Sequence, residues 1–246
     1  MNEEEIPLQG GQSTDVVVRI GNTVRRSMQP NAEFIHKLLQ HLEKTQFAYA
    51  PRFLGIDEQQ REILTFIDGE VPRGLTLSLP QLIACIKILR RLHDAAATFD
   101  LCEGAETICH NDFAPWNVVF KNNVPVGIID FDDAKKGKRV EDVAYFLWTF
   151  LELGNAAIPD EQQISSIGVL CQAYHFEQPP NLVDAILQQQ ERILLFRKEK
   201  AAKNDSFSRE AVGRIETEMA WVRSNRDRIQ YAILHSSSTN QPQFSQ

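Results

Sequence analysis

Residues 108–136 read ICHNDFAPWNVVFKNNVPVGIIDFDDAKK, and this stretch constrains the fold more than any other. Two short apolar runs, NVVF and VGIID, flank Asn122 and Asn123, residues that favour turns. The pattern predicts an antiparallel hairpin. An ordinary buried hairpin sends its polar residues to water, yet here Asp112, Asn117 and Asp130 stand at the edges of the apolar segments. In an antiparallel pair the start of one strand lies beside the end of the other. That pairing brings one amide and two acids towards a single point.

The chain has 246 residues, enough for one large domain or two modest lobes. Its first seventy residues are mixed and strand-bearing. TDVVVRI and TVRRSM, joined by GN, predict a hairpin. PNAEFIHKLLQHLEK spaces Phe34, Leu38, Leu39 and Leu42 for one helix face. RFLGID and EILTFI predict another strand pair, and DGEVPRG reads as a connector. From about residue 79 the pattern turns helical. SLPQLIACIKILRRLHDAA sets Leu82, Ile86, Leu89 and Leu92 at helical intervals, and EDVAYFLWTFLELG is apolar nearly all round, as a buried helix requires. Two or three further helices are expected over residues 160–232. The expectation is an α+β chain: a small β-rich N-lobe over 1–70, a mainly helical C-lobe over 71–234, and a flexible tail over 235–246.

A formal net charge of -7 argues against a dedicated nucleic-acid binder and suits a cationic partner. Cys85, Cys102, Cys109 and Cys171 lie far apart with no CxxC pair, which reads as reduced intracellular thiols. The acidic start, MNEEEIPLQGG, lacks the basic and apolar regions of a signal peptide. No apolar run approaches the roughly 20 residues that cross a bilayer. A cytoplasmic location with no membrane partner is expected; oligomeric state is not encoded legibly.

The chemistry lies in the opening stretch. Mg²⁺ takes oxygen ligands, commonly one or two protein groups plus phosphates, and Asn117 with Asp130 suits it. Asp112, five positions before Asn117, is placed to accept or orient a hydroxyl proton. One Asp for the hydroxyl, with an Asn and a second Asp for metal, is the division of labour in phosphoryl transfer by kinases.

HNDFAPWN, then IDFDDA, then GKRVEDVA resembles the aminoglycoside phosphotransferase family, relatives of choline kinase with a protein-kinase-like fold. The family's His-Gly-Asp, four residues, Asn becomes His110-Asn111-Asp112, Phe113 to Trp116, Asn117 here. VRRS, NAEFIHKLLQHLE and APRFLGID look closest to its trifolitoxin-immunity-like branch. The likeness covers roughly residues 8–152. It implies a two-lobed kinase using ATP or GTP with Mg²⁺ to phosphorylate a small-molecule hydroxyl, on an aminoglycoside-like or other amino-alcohol acceptor. It further implies nucleotide contacts from Gly10, Gly11 and Ser13 in GGQST and from Arg26. His110 is implied as a loop organiser, and Asp142 as a helix cap or a brace for the loop.

Several positions depart from the family pattern. Asn111 stands for the usual glycine, and Asn visits positive φ more easily than most residues. Arginine replaces the strand lysine that meets nucleotide phosphates, at Arg26 or, one register over, at Arg25. Its helix carboxylate partner falls on Glu33 or is displaced by His36. GGQST falls short of GxGxxG. Asp132 and Asp133 read as a solvated turn in preference to a metal or substrate contact, Trp116 as core packing in preference to a wall for the acceptor site, and RKEKAAK as a solvated helix face. Two rival functions stand beside the kinase: a catalytically weak binding or immunity protein on the same fold, and a metal-dependent hydrolase, which has no need of the nucleotide-side pattern.

Overall fold

The computed structural model describes residues 4–8, 17–72, 74, 76–176 and 181–235. Two compact units form. One is drawn from the chain up to residue 75 and from 91–137, the other from 76–90 and from 138 onward.

In the first unit, β1 (Ile6–Pro7), β2 (Val18–Ile20), β3 (Thr23–Ser27), β4 (Phe53–Ile56) and β5 (Arg61–Thr65) make an antiparallel sheet ordered β1-β2-β3-β5-β4. The predicted hairpin at Gly21 and the second strand pair both form. The order nevertheless places β5 between β3 and β4, so Arg26 is paired with Glu62. Helix α1 (Ala32–Lys44) buries Ile35, His36, Leu38, Leu39 and Leu42. Phe34, expected on that face, is only half buried, and Ile35 takes its place.

The chain continues through α2 (Leu79–Ala96), whose Leu82, Ile86, Leu89 and Leu92 are all buried. Strand β6 (Thr107–Cys109) pairs with β9 (Lys135–Gly137), and β7 (Val118–Lys121) with β8 (Val124–Ile128). Asn122 and Asn123 close the latter hairpin at φ +52° and +62°. Two successive residues in the left-handed region give a two-residue turn matched to strand twist, and Asn tolerates them best after glycine. The hairpin is tied to the connector by Glu70 and Phe120, which exchange both backbone hydrogen bonds at 2.8 Å. Gly127 of β8 leaves room for Ile67, whose Cδ1 would lie 2.6 Å from an added Cβ.

The second unit is helical: α3 (Arg139–Phe150), α4 (Asp160–Tyr174), α5 (Leu182–Ala202), α6 (Ser206–Ser224) and α7 (Arg226–His235). Helix α3 is buried along most of its length, as its composition predicts. Four helices follow residue 160 rather than two or three. The α4–α5 break holds Pro179 and Pro180 in its sequence, but the later two fall at Asn204, with φ +69°, and at Asn225, with neither glycine nor proline to announce them. At the Asn204 break Asp205 accepts a hydrogen bond from the Ser208 hydroxyl at 2.5 Å. Residues 198–200 of RKEKAAK are exposed on α5. All four cysteines are buried and free, and burial pushes the Cys85 and Cys171 thiols up to about 12, far from nucleophilic. Among the described residues no helix is long and apolar enough to cross a membrane.

One half-buried acid in this unit gives a pH-dependent expectation. Trp148 Nε1 donates to Glu218 Oε2 at 2.8 Å, while burial lifts the Glu218 carboxyl above its usual range, against that bond and Arg214. A carboxyl raised in the folded state holds its proton more tightly there than when unfolded. Its contribution is therefore favourable in acid and is lost as pH rises through the folded value. Glu218→Gln keeps an acceptor for Trp148 and cannot ionise. Thermal melts should show the variant more stable than wild type at pH 8, with that gain gone at pH 4. A less stable variant at pH 8 would contradict this.

Candidate active site

Strand β6 delivers the chain into a loop at His110. Asn111 sits at φ +62°, and its Nδ2 donates to the Cys109 carbonyl at 3.3 Å and the Asp133 carbonyl at 3.1 Å. A glycine would supply the backbone conformation without those two ties; asparagine supplies both. His110 is buried and works at both ring nitrogens. Nδ1 accepts from the Asp112 amide at 3.3 Å, and Nε2 lies 3.2 Å from the Ile129 carbonyl, to which it donates. The imidazole thereby links the loop to the end of β8.

A short 3₁₀ turn, Pro115–Asn117, then swings Asn117 back towards Asp112. Asn117 Nδ2 donates to the Asp112 backbone carbonyl at 2.9 Å and to Asp112 Oδ2 at 2.7 Å. Across the hairpin, the Ile129 amide donates to the Asn117 carbonyl at 2.9 Å, so Asp130 follows directly at the strand end. Asp130 adopts φ +68°, and its side chain is 44% exposed. Partial desolvation, then Asp132 and Asp112, raise its carboxyl above the ordinary range, while Arg26 and His110 oppose that. The hairpin thus brings Asp112, Asn117 and Asp130 into one neighbourhood. Trp116 is not core packing: it is 51% exposed, with its indole N–H 3.4 Å from Asp112 Oδ2. The tight turn at Pro115 directs it outward.

The cationic side of the cluster is Arg26. Its Nε donates to Glu62 Oε1, its Nη1 and Nη2 grip both Asp132 oxygens, and Nη1 lies 3.5 Å from Asp130 Oδ1. Although partial burial works against its charge, Asp132, Glu62 and Asp130 raise the guanidinium further above its usual value. Arg25, one register over, contacts Thr23 and Asp57 instead. The expected helix carboxylate, Glu33, pairs with Lys37 instead of Arg26, and His36 holds Glu62 at 2.7 Å. Asp132 does lie in a turn but is only partly solvated, because the guanidinium fork holds both its oxygens. Asp133 is exposed and serves through its carbonyl.

Gly10, Gly11 and Ser13 lie outside the described residues. Asp142 is buried in the first turn of α3, in the second unit. Glu62 escaped the sequence reading altogether. The available signal was its place as a charged residue in the alternating strand REILT, where Glu62 and Leu64 share the buried face. Oxygen donors beside a fixed cation form a surface able to hold a divalent ion together with a polyanion.

Residues 73–183 match the model of the phosphotransferase enzyme family. The trifolitoxin immunity protein of Rhizobium leguminosarum bv. trifolii is 34% identical over 183 residues, covering 68% of this chain and 69% of that protein. Among solved structures, a choline/ethanolamine kinase family protein from Mesorhizobium loti superposes with TM-score 0.62 and 15% identity, over 94% of this chain and 92% of the other. A macrolide 2'-phosphotransferase from Brachybacterium faecium gives TM-score 0.57 and 13% identity, over 86% and 91%. At these identities the likeness carries the fold: an N-terminal antiparallel sheet and a mainly helical remainder, as in kinase-like proteins.

Proposed function

The chain belongs to the phosphotransferase enzyme family, and on that premise we propose that it transfers the γ-phosphate of ATP or GTP to a hydroxyl of a small molecule. The observation carrying this reading is the gathering of Asp112, Asn117 and Asp130 by one hairpin, with Asn117 bonded to Asp112 at 2.7 Å. The acceptor oxygen attacks the γ-phosphorus, the bond to the β–γ bridging oxygen breaks, and the nucleoside diphosphate leaves. Asp112 orients the attacking hydroxyl and takes its proton. Its carboxylate is held in place through the Asn117 amide, so it needs little reorganisation to do so.

The donor set fits Mg²⁺. Asn117 spends its amide N–H groups on Asp112, which leaves its oxygen for a cation, and Asp130 adds a half-exposed carboxylate. A bound Mg²⁺ would supply charge neutralisation at the phosphates. Arg26 steadies the non-transferred phosphates beside it. Residues 1–70 form the nucleotide lobe in this reading. A cationic amino alcohol suits the acidic balance of the chain.

Nucleotide labelled in its γ-phosphate, incubated with ethanolamine, choline, aminoglycosides and macrolides, tests this. Labelled phosphate on an acceptor, absent with Asp112→Ala, is the expected result. The likeness to an immunity protein favours one second reading, in which the same fold sequesters a toxin without turnover. Tight toxin binding by a protein that ignores both nucleotides would decide for it.

A further inference from the structure

The guanidinium of Arg26 has two working edges, and the contacts divide between them. Its Nε meets Glu62, whose side chain is 2% exposed; its Nη groups meet Asp132 and Asp130, at 29% and 44% exposure. The inner edge is fixed on a buried carboxylate, whereas the outer edge is held by two partly exposed acids, Asp132 on both Nη groups and Asp130 at 3.5 Å. Glu62 is fixed in turn. Its second oxygen lies 2.7 Å from His36 Nε2, and the His36 ring stacks on Phe53 with centroids 3.7 Å apart. Antiparallel register sets Glu62 directly across from Arg26, so no helix movement is needed to bring the two together.

We propose that Glu62, braced by His36, is the positioning residue for Arg26, anchoring the inner edge of the guanidinium so that the outer edge stays aimed beside Asp130 when nucleotide phosphates replace the exposed Asp132 carboxylate on it. The inference rests on the kinase reading. It assigns to a neighbouring strand the anchoring carboxylate that the sequence pattern led one to seek on α1. It also gives arginine a reason to replace lysine. A guanidinium offers separate donors to an anchor and to a ligand in one rigid plane, whereas an ammonium on a flexible stem has no such second edge. A buried carboxylate with two charged or polar partners costs less to keep than one with a single partner, which accounts for the histidine at position 36.

The test compares equilibrium affinity for Mg·ATP and Mg·GTP with melting temperature, on the full chain. Glu62→Gln is nearly isosteric, and His36→Phe keeps the stacking on Phe53 while losing the bond to Glu62. Glu62→Gln should weaken nucleotide binding at least tenfold and His36→Phe about threefold or more. Leu42→Ala, a buried change elsewhere on α1, should lower the melting temperature and leave that affinity as in wild type. The inference is overturned if His36→Phe and any folded Glu62→Gln bind nucleotide like wild type, or if Leu42→Ala loses affinity to the same extent. If the wild type itself binds neither nucleotide, the kinase reading fails first and takes this inference with it.

Discussion

Replacing Asp112 with alanine is expected to lower phosphate transfer by about 10²–10⁴-fold while leaving the fold and nucleotide affinity close to wild type. The loss corresponds to roughly 3–5 kcal/mol of barrier, the scale of a single well-placed proton acceptor. The fold should survive because the substitution removes the side-chain bonds from Asn117 at 2.7 Å and from the exposed Trp116 at 3.4 Å, while the bond from Asn117 to the Asp112 backbone carbonyl at 2.9 Å remains. One such bond contributes about 1 kcal/mol net, small beside the total for a domain. Steady-state transfer rates, read beside a thermal melt, check the split. A variant that melts normally and transfers at the wild-type rate would remove Asp112 from the chemistry.

Gly69→Ala should produce the largest loss of stability, although Gly69 touches no reacting group. Its φ is +151°, and an added Cβ would lie 2.4 Å from the Phe120 carbonyl oxygen and 2.8 Å from Val119 Cγ1. Both contacts are far inside van der Waals range, and the oxygen is main chain, which cannot swing aside. Relief requires the connector to leave β7, opening the paired hydrogen bonds between Glu70 and Phe120. Backbone strain with a lost bridge of this kind costs on the order of 2–4 kcal/mol. Denaturant titration would measure it as a lower midpoint, with activity falling as β7 loses its seat and Asn117 shifts with it. Gly104→Ala is the control: its φ is +77° but nothing lies within 4 Å of its Cβ, so only the milder backbone cost applies. Equal losses in the two variants would contradict the steric account.

The hairpin that gathers the acids was legible because its signals are local. Alternation, a two-residue Asn turn and polar residues at fixed offsets all fall within thirty positions. The buried α3 was legible for the same reason, through its unbroken apolar surface. Glu62 was not, because its role depends on β5 entering the sheet between β3 and β4. That order is a tertiary choice, and nothing in TVRRS or REILT announces which strand lies beside which. Asp132 was misjudged for a related reason: a turn acid is solvated by default unless a cation from a distant strand reaches it, as Arg26 does here. Residue type alone puts Trp116 in the core, whereas the turn at Pro115 leaves it 51% exposed. The helix breaks at Asn204 and Asn225 rely on asparagine in place of the usual breakers, so periodicity ran past them.

The central claim is that Asn117 and Asp130 hold a divalent ion against a nucleotide. Equilibrium binding of ATP and GTP with millimolar Mg²⁺, and again with chelator, tests it most directly in wild type and Asp130→Ala. The account predicts at least tenfold tighter binding of one nucleotide when Mg²⁺ is present, and loss of that gain in the variant. Wild-type affinity indifferent to Mg²⁺, or a gain that Asp130→Ala keeps in full, would contradict it.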